Sequence, residues 1–276
     1  MVFDYISAHF NILKKEDLSF PFDDAGFLYG YGLFESIRVI EYKTPLLDLH
    51  LSRLHHAAAQ LLLPSPDIEK IRHHIPYLIK ANGHLLKNAF YESAVLNIYM
   101  TAGNKTEAWG QFDEPFLLMV LRPYQPFKPM MLDLCSSENR YLPGLKHLSW
   151  MSLLLSKKRH PDCDDILLHN TKAEILESSK SSIFFIKKGK IFTPSLGEIL
   201  PGVFRQHLLT TLKQTDFDCH ESCIKVSDLN TMDEIFCVNA IHGMMPVKGV
   251  KGYPFLCSGP ITQLLSSTYA PFHLLL

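Results

Sequence analysis

Apolar residues recur along this chain with two periods, and the places where the period changes outline its elements. Residues 2–13 are strand-like, and Glu16-Asp17 breaks the run. Asp23-Asp24-Ala25-Gly26 carries turn chemistry. A β-rich run then extends from Phe27 to Val39. Gly30 and Gly32 inside it mark a sharp bend or a close backbone approach. Alternation puts Phe34, Ser36 and Arg38 on one face and Leu33, Glu35 and Ile37 on the other. After a turn at 42–45 the period becomes helical. Leu51, Leu54, Ala58 and Leu61 form a stripe that predicts a helix over 50–63, stopped by Pro64-Ser65-Pro66. A second helix is expected over 67–82 with Gly83 as its C-cap. Strands at 93–101 and 115–121 follow, separated by a polar loop.

The segment 123–129 holds three prolines in seven residues and reads as a semi-rigid connector. It divides an N-terminal α+β domain, 1–122, from a C-terminal α/β domain, 130–276. The second domain opens with a strand at 130–135 and a helix over 146–160, which begins at Lys146 and ends before Pro161. Strands are expected at 165–169 and 173–177, then a hairpin folded at Lys188-Gly189. Pro201-Gly202 starts a helix running to about Thr215. Short strands at 223–226 and 234–238, a loop at 239–249 and a terminal helix at 260–269 complete the pattern. No repeat or low-complexity segment interrupts it.

Composition narrows the function classes. The 276 residues are 47% hydrophobic and 20% charged, with 27 basic and 28 acidic side chains. That is globular composition with no electrostatic footprint for nucleic acid. The N-terminus lacks the basic and apolar regions of a signal peptide, and no apolar run is long enough for a membrane span. A cytoplasmic location is the expectation. Six cysteines, Cys135, Cys163, Cys219, Cys223, Cys237 and Cys257, form no CxxC pair. Cys219-His220-x-x-Cys223 has no second half of a zinc site, so these read as reduced structural thiols and no metal is expected.

The candidate chemistry lies in a few dispersed residues. Glu177 ends a strand as a lone carboxylate. The helix start at Gly202, Val203 and Phe204 offers backbone N–H groups of the kind that attract phosphate. Lys146 stands among apolar neighbours, a setting that favours an amine nucleophile. Taken singly, Lys146 reads as a lysine snorkelling at a helix start and Arg53 as a surface arginine. Together they match the needs of pyridoxal 5′-phosphate: a lysine for its aldehyde, a carboxylate for its ring nitrogen, and an arginine and backbone amides for its phosphate.

Over nearly its whole length the sequence resembles the class IV aminotransferases, the fold-type IV pyridoxal-phosphate enzymes. That family includes branched-chain and D-amino acid aminotransferases and aminodeoxychorismate lyase. The resemblance is carried by Gly30-Tyr-Gly-Leu-Phe-Glu-Ser-Ile-Arg-Val39, His50-Leu-Ser-Arg-Leu54, Leu176-Glu-Ser178 and Leu200-Pro-Gly-Val-Phe-Arg205. It implies a two-domain α/β (α+β) fold like that of aminodeoxychorismate lyase and D-amino acid aminotransferase, with the cofactor at the domain junction, and a homodimer. It further implies that Lys146 forms the Schiff base, Arg53 holds the phosphate and Glu177 meets the ring nitrogen. Ser36 falls where the lyase uses a threonine. Asn239, Ala240 and Ile241 fall in the C-terminal active-site loop.

Departures accompany the match. Tyr31 replaces an acidic residue, and Phe204 replaces a threonine at the phosphate helix. Ser181-Ser182 stands for Ser-Asn. Met151 occupies the place of a tyrosine that bonds the cofactor's phenolic oxygen. The family's substrate-binding arginine near 97–103 is missing. The lysine segment Leu145-Lys-His-Leu148 with its missing tyrosine, Ser36, the resemblance of Asn239-Ala-Ile with Met245-Pro-Val247 to the lyase's C-terminal active-site loop, and the chain length favour a lyase that expels pyruvate from an aminodeoxychorismate-like substrate and leaves 4-aminobenzoate for folate synthesis. A branched-chain or D-amino acid aminotransferase is the alternative. A pyridoxal-phosphate-binding protein without turnover is the third reading.

Overall fold

The computed structural model describes residues 2–88, 93–108, 110–137, 141–253 and 259–268. Its contacts divide the chain into two units. The first holds Met1–Gln125 with Leu145–Trp150; the second holds Pro126–Gly144 with Met151–Leu275. Among the described residues no helix is long and apolar enough to cross a membrane.

The first unit comprises β1 (Tyr5–Ala8), β2 (Asn11–Lys14), α1 (Ala25–Tyr29), β3 (Gly32–Ile40), α2 (Leu47–Gln60), α3 (Ile68–Ala81), α4 (Gly83–Lys87), β4 (Ser93–Thr101), β5 (Asn104–Lys105), β6 (Phe112–Asp113) and β7 (Leu117–Pro123). Five strands form an antiparallel sheet in the order β2-β1-β7-β4-β3, and β5 pairs with β6 separately. The alternation read from β3 holds. Leu33, Ile37 and Val39 join Leu51 and Leu54 of α2 and Ile71, Ile75 and Leu78 of α3 in one buried cluster. A one-residue slip would bring Ser36 and Arg38 into that core and expel these side chains, at roughly 2 kcal/mol for each apolar group. Register is thereby set by burial.

The second unit comprises β8 (Met130–Ser136), α5 (Met151–Arg159), β9 (Asp165–His169), β10 (Ile175–Ser178), β11 (Ser182–Lys187), β12 (Lys190–Pro194), α6 (Val203–Leu212), β13 (Cys219–Ser222), β14 (Glu234–Asn239), β15 (Gly243–Val250) and α7 (Pro260–Thr268). Its eight strands run β10-β9-β8-β15-β14-β11-β12-β13, with parallel pairs β8–β9, β8–β15 and β12–β13. Ile183, Phe185, Ile235 and Cys237 share one buried cluster. On the opposite face Phe184 and Phe236 stack with centroids 5.1 Å apart. The hairpin at Lys188-Gly189 forms as expected, with both residues at positive φ.

Several expectations are corrected. Residues 2–13 form a hairpin rather than one strand, because His9 and Phe10 take positive φ (47° and 67°) without a glycine or asparagine to announce it. Phe27–Tyr29 lie in α1, whose N-cap Asp24 accepts from Gly26 N and Phe27 N; the helix stops at left-handed Gly30. Gly83 opens α4 instead of closing α3. The strand expected at 223–226 lies at Cys219–Ser222, where it pairs with β12. Most of the loop expected at 239–249 is β15, an antiparallel partner of β14. The helix expected from Lys146 begins at Met151, and 145–150 belongs to the first unit although the sequence boundary put it in the second. Cys257 and Tyr269 lie outside the described residues.

Candidate active site

Lys146 owes its place to the exposed edge of β3. Phe34 N donates to Lys146 O at 3.0 Å, Leu148 N donates to Gly32 O at 2.9 Å, and Leu33 and His147 form an antiparallel bridge. The segment is therefore a short extra strand, and backbone bonding to β3 overrides the helical period of its apolar residues. Both glycines of the motif serve this approach. A Cβ at Gly30 would lie 2.5 Å from Ser149 Oγ; at Gly32 it would lie 2.5 Å from Met100 O and 2.7 Å from Leu148 Cδ1. The Lys146 ammonium rests 4.2 Å from the Phe34 ring centroid and 5.6 Å from that of Trp150. Aromatic faces thus hold it on the side of the sheet that carries Phe34 and Ser36.

Arg53 turns inward. Its Nε and an Nη each donate to the Glu35 carboxylate at 2.7 Å, and His50 Nδ1 lies 2.6 Å from Glu35 Oε2. A carboxylate only accepts, so Nδ1 carries the histidine proton. Burial alone would raise the Glu35 carboxyl. The Arg53 charge, the His50 ring and their hydrogen bonds outweigh it and hold the pKa at about 2. Burial is also the largest influence on His50 and keeps it below its ordinary value against the pull of Glu35. The cluster is therefore an ionised pair with a neutral histidine, and it holds the guanidinium plane in one orientation. The sequence carried a sign of it: Glu35 is on the inward face of β3, and His50 and Arg53 are spaced three apart on α2.

Ser36 is governed by Asn97 across the β3–β4 ladder. Asn97 Nδ2 lies 3.3 Å from Glu35 O and 2.8 Å from Ser36 Oγ. A backbone carbonyl can only accept, which fixes the amide orientation, so Asn97 donates into Ser36 Oγ. The Ser36 proton consequently points elsewhere, and the hydroxyl is presented as a donor. Tyr31, the departure between the two glycines, donates to Leu61 O and packs edge-on to Phe112. It is a structural residue.

In the second unit Glu177 lies in a bulge of β10. The four residues Ile175–Ser178 oppose three on β9, Leu167–His169, and this irregularity re-aims the side chain. The carboxylate is 4% exposed, and Oε1 accepts from Leu200 N at 2.9 Å. That bond ties the carboxylate to the segment entering α6. Gly202 is the N-cap of α6, with no side-chain cap. A Cβ there would meet Ser182 Oγ at 2.6 Å, so the helix start is pressed against β11. Val203 and Phe204 are buried, and the Phe204 ring lies edge-on to His207. Arg205 anchors the turn by donating to Pro194 O and Glu221 at 2.7 Å. Asn239, Ala240 and Ile241 form the β14–β15 turn. Asn239 Oδ1 accepts from Ile241 N and His242 N at 2.9 Å, and its Nδ2 donates to Ser181 Oγ. Met151 is 73% exposed at the start of α5.

In the first unit Lys146 and Ser36 share the Phe34 face of β3 while Glu35 and Arg53 meet on its other face, and the second unit gathers Glu177, Gly202 and the Asn239 turn. Each unit separately offers chemistry that suits pyridoxal phosphate: an amine against aromatic rings and an oriented guanidinium in the first, a buried carboxylate and a close-packed helix start in the second. Among the described residues no group of His, Cys, Asp and Glu could hold a metal. Burial raises the thiols of Cys163, Cys219, Cys223 and Cys237, that of Cys219 to about 11. Sequence reasoning missed the Asn97 bond to Ser36 and the Glu35 clamp on Arg53.

The description amino-transferase class IV matches residues 32–250. A probable branched-chain-amino-acid aminotransferase of Thermotoga maritima is 31% identical over 133 residues, covering 47% of this chain and 49% of that protein. The chain thus spans about half the length of that relative. The aminodeoxychorismate lyase of Bacillus subtilis is 27% identical over 277 residues, covering 96% of this chain and 92% of that one. Among solved structures, a branched-chain aminotransferase from Thermoproteus uzoniensis, solved with norvaline, superposes with a TM-score of 0.86 at 19% identity, covering 96% and 93% of the two chains. The matched span runs from the β3 motif through β15, and on it the chain belongs to the class IV aminotransferase family, whose members are pyridoxal-phosphate-dependent enzymes.

Proposed function

We propose that this enzyme binds pyridoxal 5′-phosphate and acts as an aminodeoxychorismate lyase. Lys146 is the covalent attachment point, Glu177 the partner of the ring nitrogen, and Arg53 with the amides at Gly202, Val203 and Phe204 the phosphate site. The Asn239–Ile241 turn borders the cofactor. When bound, the cofactor withdraws electrons from the carbon that bears the substrate amine. With the cofactor in place, the Lys146 amine, when free, would take the proton from that carbon as general base. The carbon–oxygen bond to the pyruvyl group then breaks with its electrons on oxygen. The proton taken from the ring is returned to the leaving group, so pyruvate and 4-aminobenzoate form without water or oxidant. Ser36 supports departure by donating a hydrogen bond.

The observation that carries this reading is the Asn97 bond to Ser36 Oγ, which leaves the hydroxyl as a donor on the face that carries Lys146. The test is to incubate the enzyme with aminodeoxychorismate and measure both products; neither above background refutes the lyase. The half-length match to a probable branched-chain aminotransferase favours transamination as the second reading. It predicts a keto acid from some L- or D-amino acid in a half-reaction. Cofactor absorbance that is lost in Lys146→Ala, with turnover of no amine, identifies a binding protein instead. The working form is proposed to be a cytoplasmic homodimer, and sedimentation at twice 31.5 kDa checks the assembly.

A further inference from the structure

We propose that Tyr99 and Arg122 together bind the carboxylate of the substrate; the assignment rests on the pyridoxal-phosphate reading above. No arginine lies between Asn97 and Gly103, so a guanidinium on this face must come from another strand. β7 supplies it. Arg122 pairs with Val95, two same-face positions along from the Tyr99–Leu118 pair. The two long side chains lean towards each other over Asn97 and Val120, which are 7% and 4% exposed, and Arg122 Nη donates to Tyr99 Oη at 3.1 Å.

The chemistry of the pair selects its ligand. A guanidinium has only donors. A phenol that accepts from it keeps its own proton to donate. Two adjacent donors, one of them charged and exposed, suit a carboxylate and offer nothing to a second cation. Position supports the same ligand. The Tyr99 ring stacks on Phe34 with centroids 6.1 Å apart, and Phe34 is the ring against which the Lys146 ammonium rests. A substrate whose amine is at Lys146 therefore has these donors beside it on the same sheet face. The buried Arg38 on this face is engaged differently: it bonds Ser93 and lies over the Tyr124 ring.

The experiment compares ligands that differ only in the carboxylate. 4-Aminobenzoate is set against aniline, and valine enantiomers against isobutylamine, with binding to the holoenzyme read from the cofactor absorbance. Arg122→Ala is expected to weaken 4-aminobenzoate or valine about tenfold or more while leaving aniline and isobutylamine unchanged. Tyr99→Phe should show the same selectivity to a smaller degree, and Arg122→Lys should fall between. Equal loss for both members of a pair, or no loss for either, overturns the assignment. Wild-type protein without cofactor absorbance overturns the underlying reading and this assignment with it. Cofactor absorbance with unselective variants overturns the assignment alone.

Discussion

Replacing Glu35 by glutamine removes a charge from beneath Arg53 with almost no change of shape. Glu35 is 1% exposed and accepts two bonds from Arg53 and one from His50. Its pKa falls from 4.5 to about 2 on folding, against the largest single influence, burial. At about 1.4 kcal/mol per pKa unit this is on the order of 3 kcal/mol of stability near neutral pH. The sign follows from the depressed folded value. The contribution is complete above the unfolded pKa and is lost as pH falls from about 4.5 towards 2. By pH 3 roughly 2 kcal/mol of it should be gone. Urea unfolding of wild type and Glu35→Gln, followed through the first unit's transition from pH 7 to pH 3, measures the difference. The gap should be about 3 kcal/mol at neutral pH and close to 1 kcal/mol at pH 3. A gap that does not change with pH would refute the electrostatic account. If Arg53 holds the phosphate as proposed, the same variant should bind pyridoxal phosphate more weakly but pyridoxal as before.

Three further outcomes are expected. Asn97→Leu frees Ser36 to rotate and should lower kcat about tenfold with cofactor affinity unchanged; a fall in affinity alone would count against the role given to Ser36. Gly202→Ala should cost about 1–3 kcal/mol through its clash with Ser182 Oγ. Thermal melts of the double variant Gly202→Ala/Ser182→Ala should show recovery, and an equally unstable double variant means the clash lies elsewhere. Glu177→Gln keeps an acceptor for Leu200 N, so folding should survive while turnover falls on the order of 100-fold; unchanged turnover removes Glu177 from the mechanism.

The periodic parts of the fold could be read directly. β3, β4, β9 and β14 each bury one face or both, and α2 carries a stripe that only a helix satisfies. What escaped reading depended on partners distant in sequence. The segment Lys146–Trp150 has apolar spacing compatible with a helix that continues to Leu154 and Leu155, yet the edge of β3 claims its backbone groups. Met151, Leu154 and Leu155 are largely exposed, so the period that suggested a longer helix marks no buried face. The β-turns at His9-Phe10 and Glu41-Tyr42 adopt positive φ without glycine, and no local composition announces them. The bulge at Glu177 depends on a register between strands. The motif residues were legible because their types are constrained by chemistry. Glu35, Asn97 and Arg122 were not, because each gains its meaning from a neighbour on another element.

The pairing of Lys146–Leu148 with β3 also bears on how the chain is made. The sheet order leaves β3 outermost, and Gly32 and Phe34 would otherwise turn unbonded backbone groups outward, an invitation to intermolecular strand pairing. A nascent chain that has emerged only as far as Gln125 has the five strands but lacks this cover. Its edge stays adhesive until about 25 more residues have followed. Lys146, the proposed attachment point, thus rides on the piece of chain that protects the first unit from its own copies. A fragment ending at Gln125 should self-associate, while one that carries Leu145–Trp150 should stay dispersed.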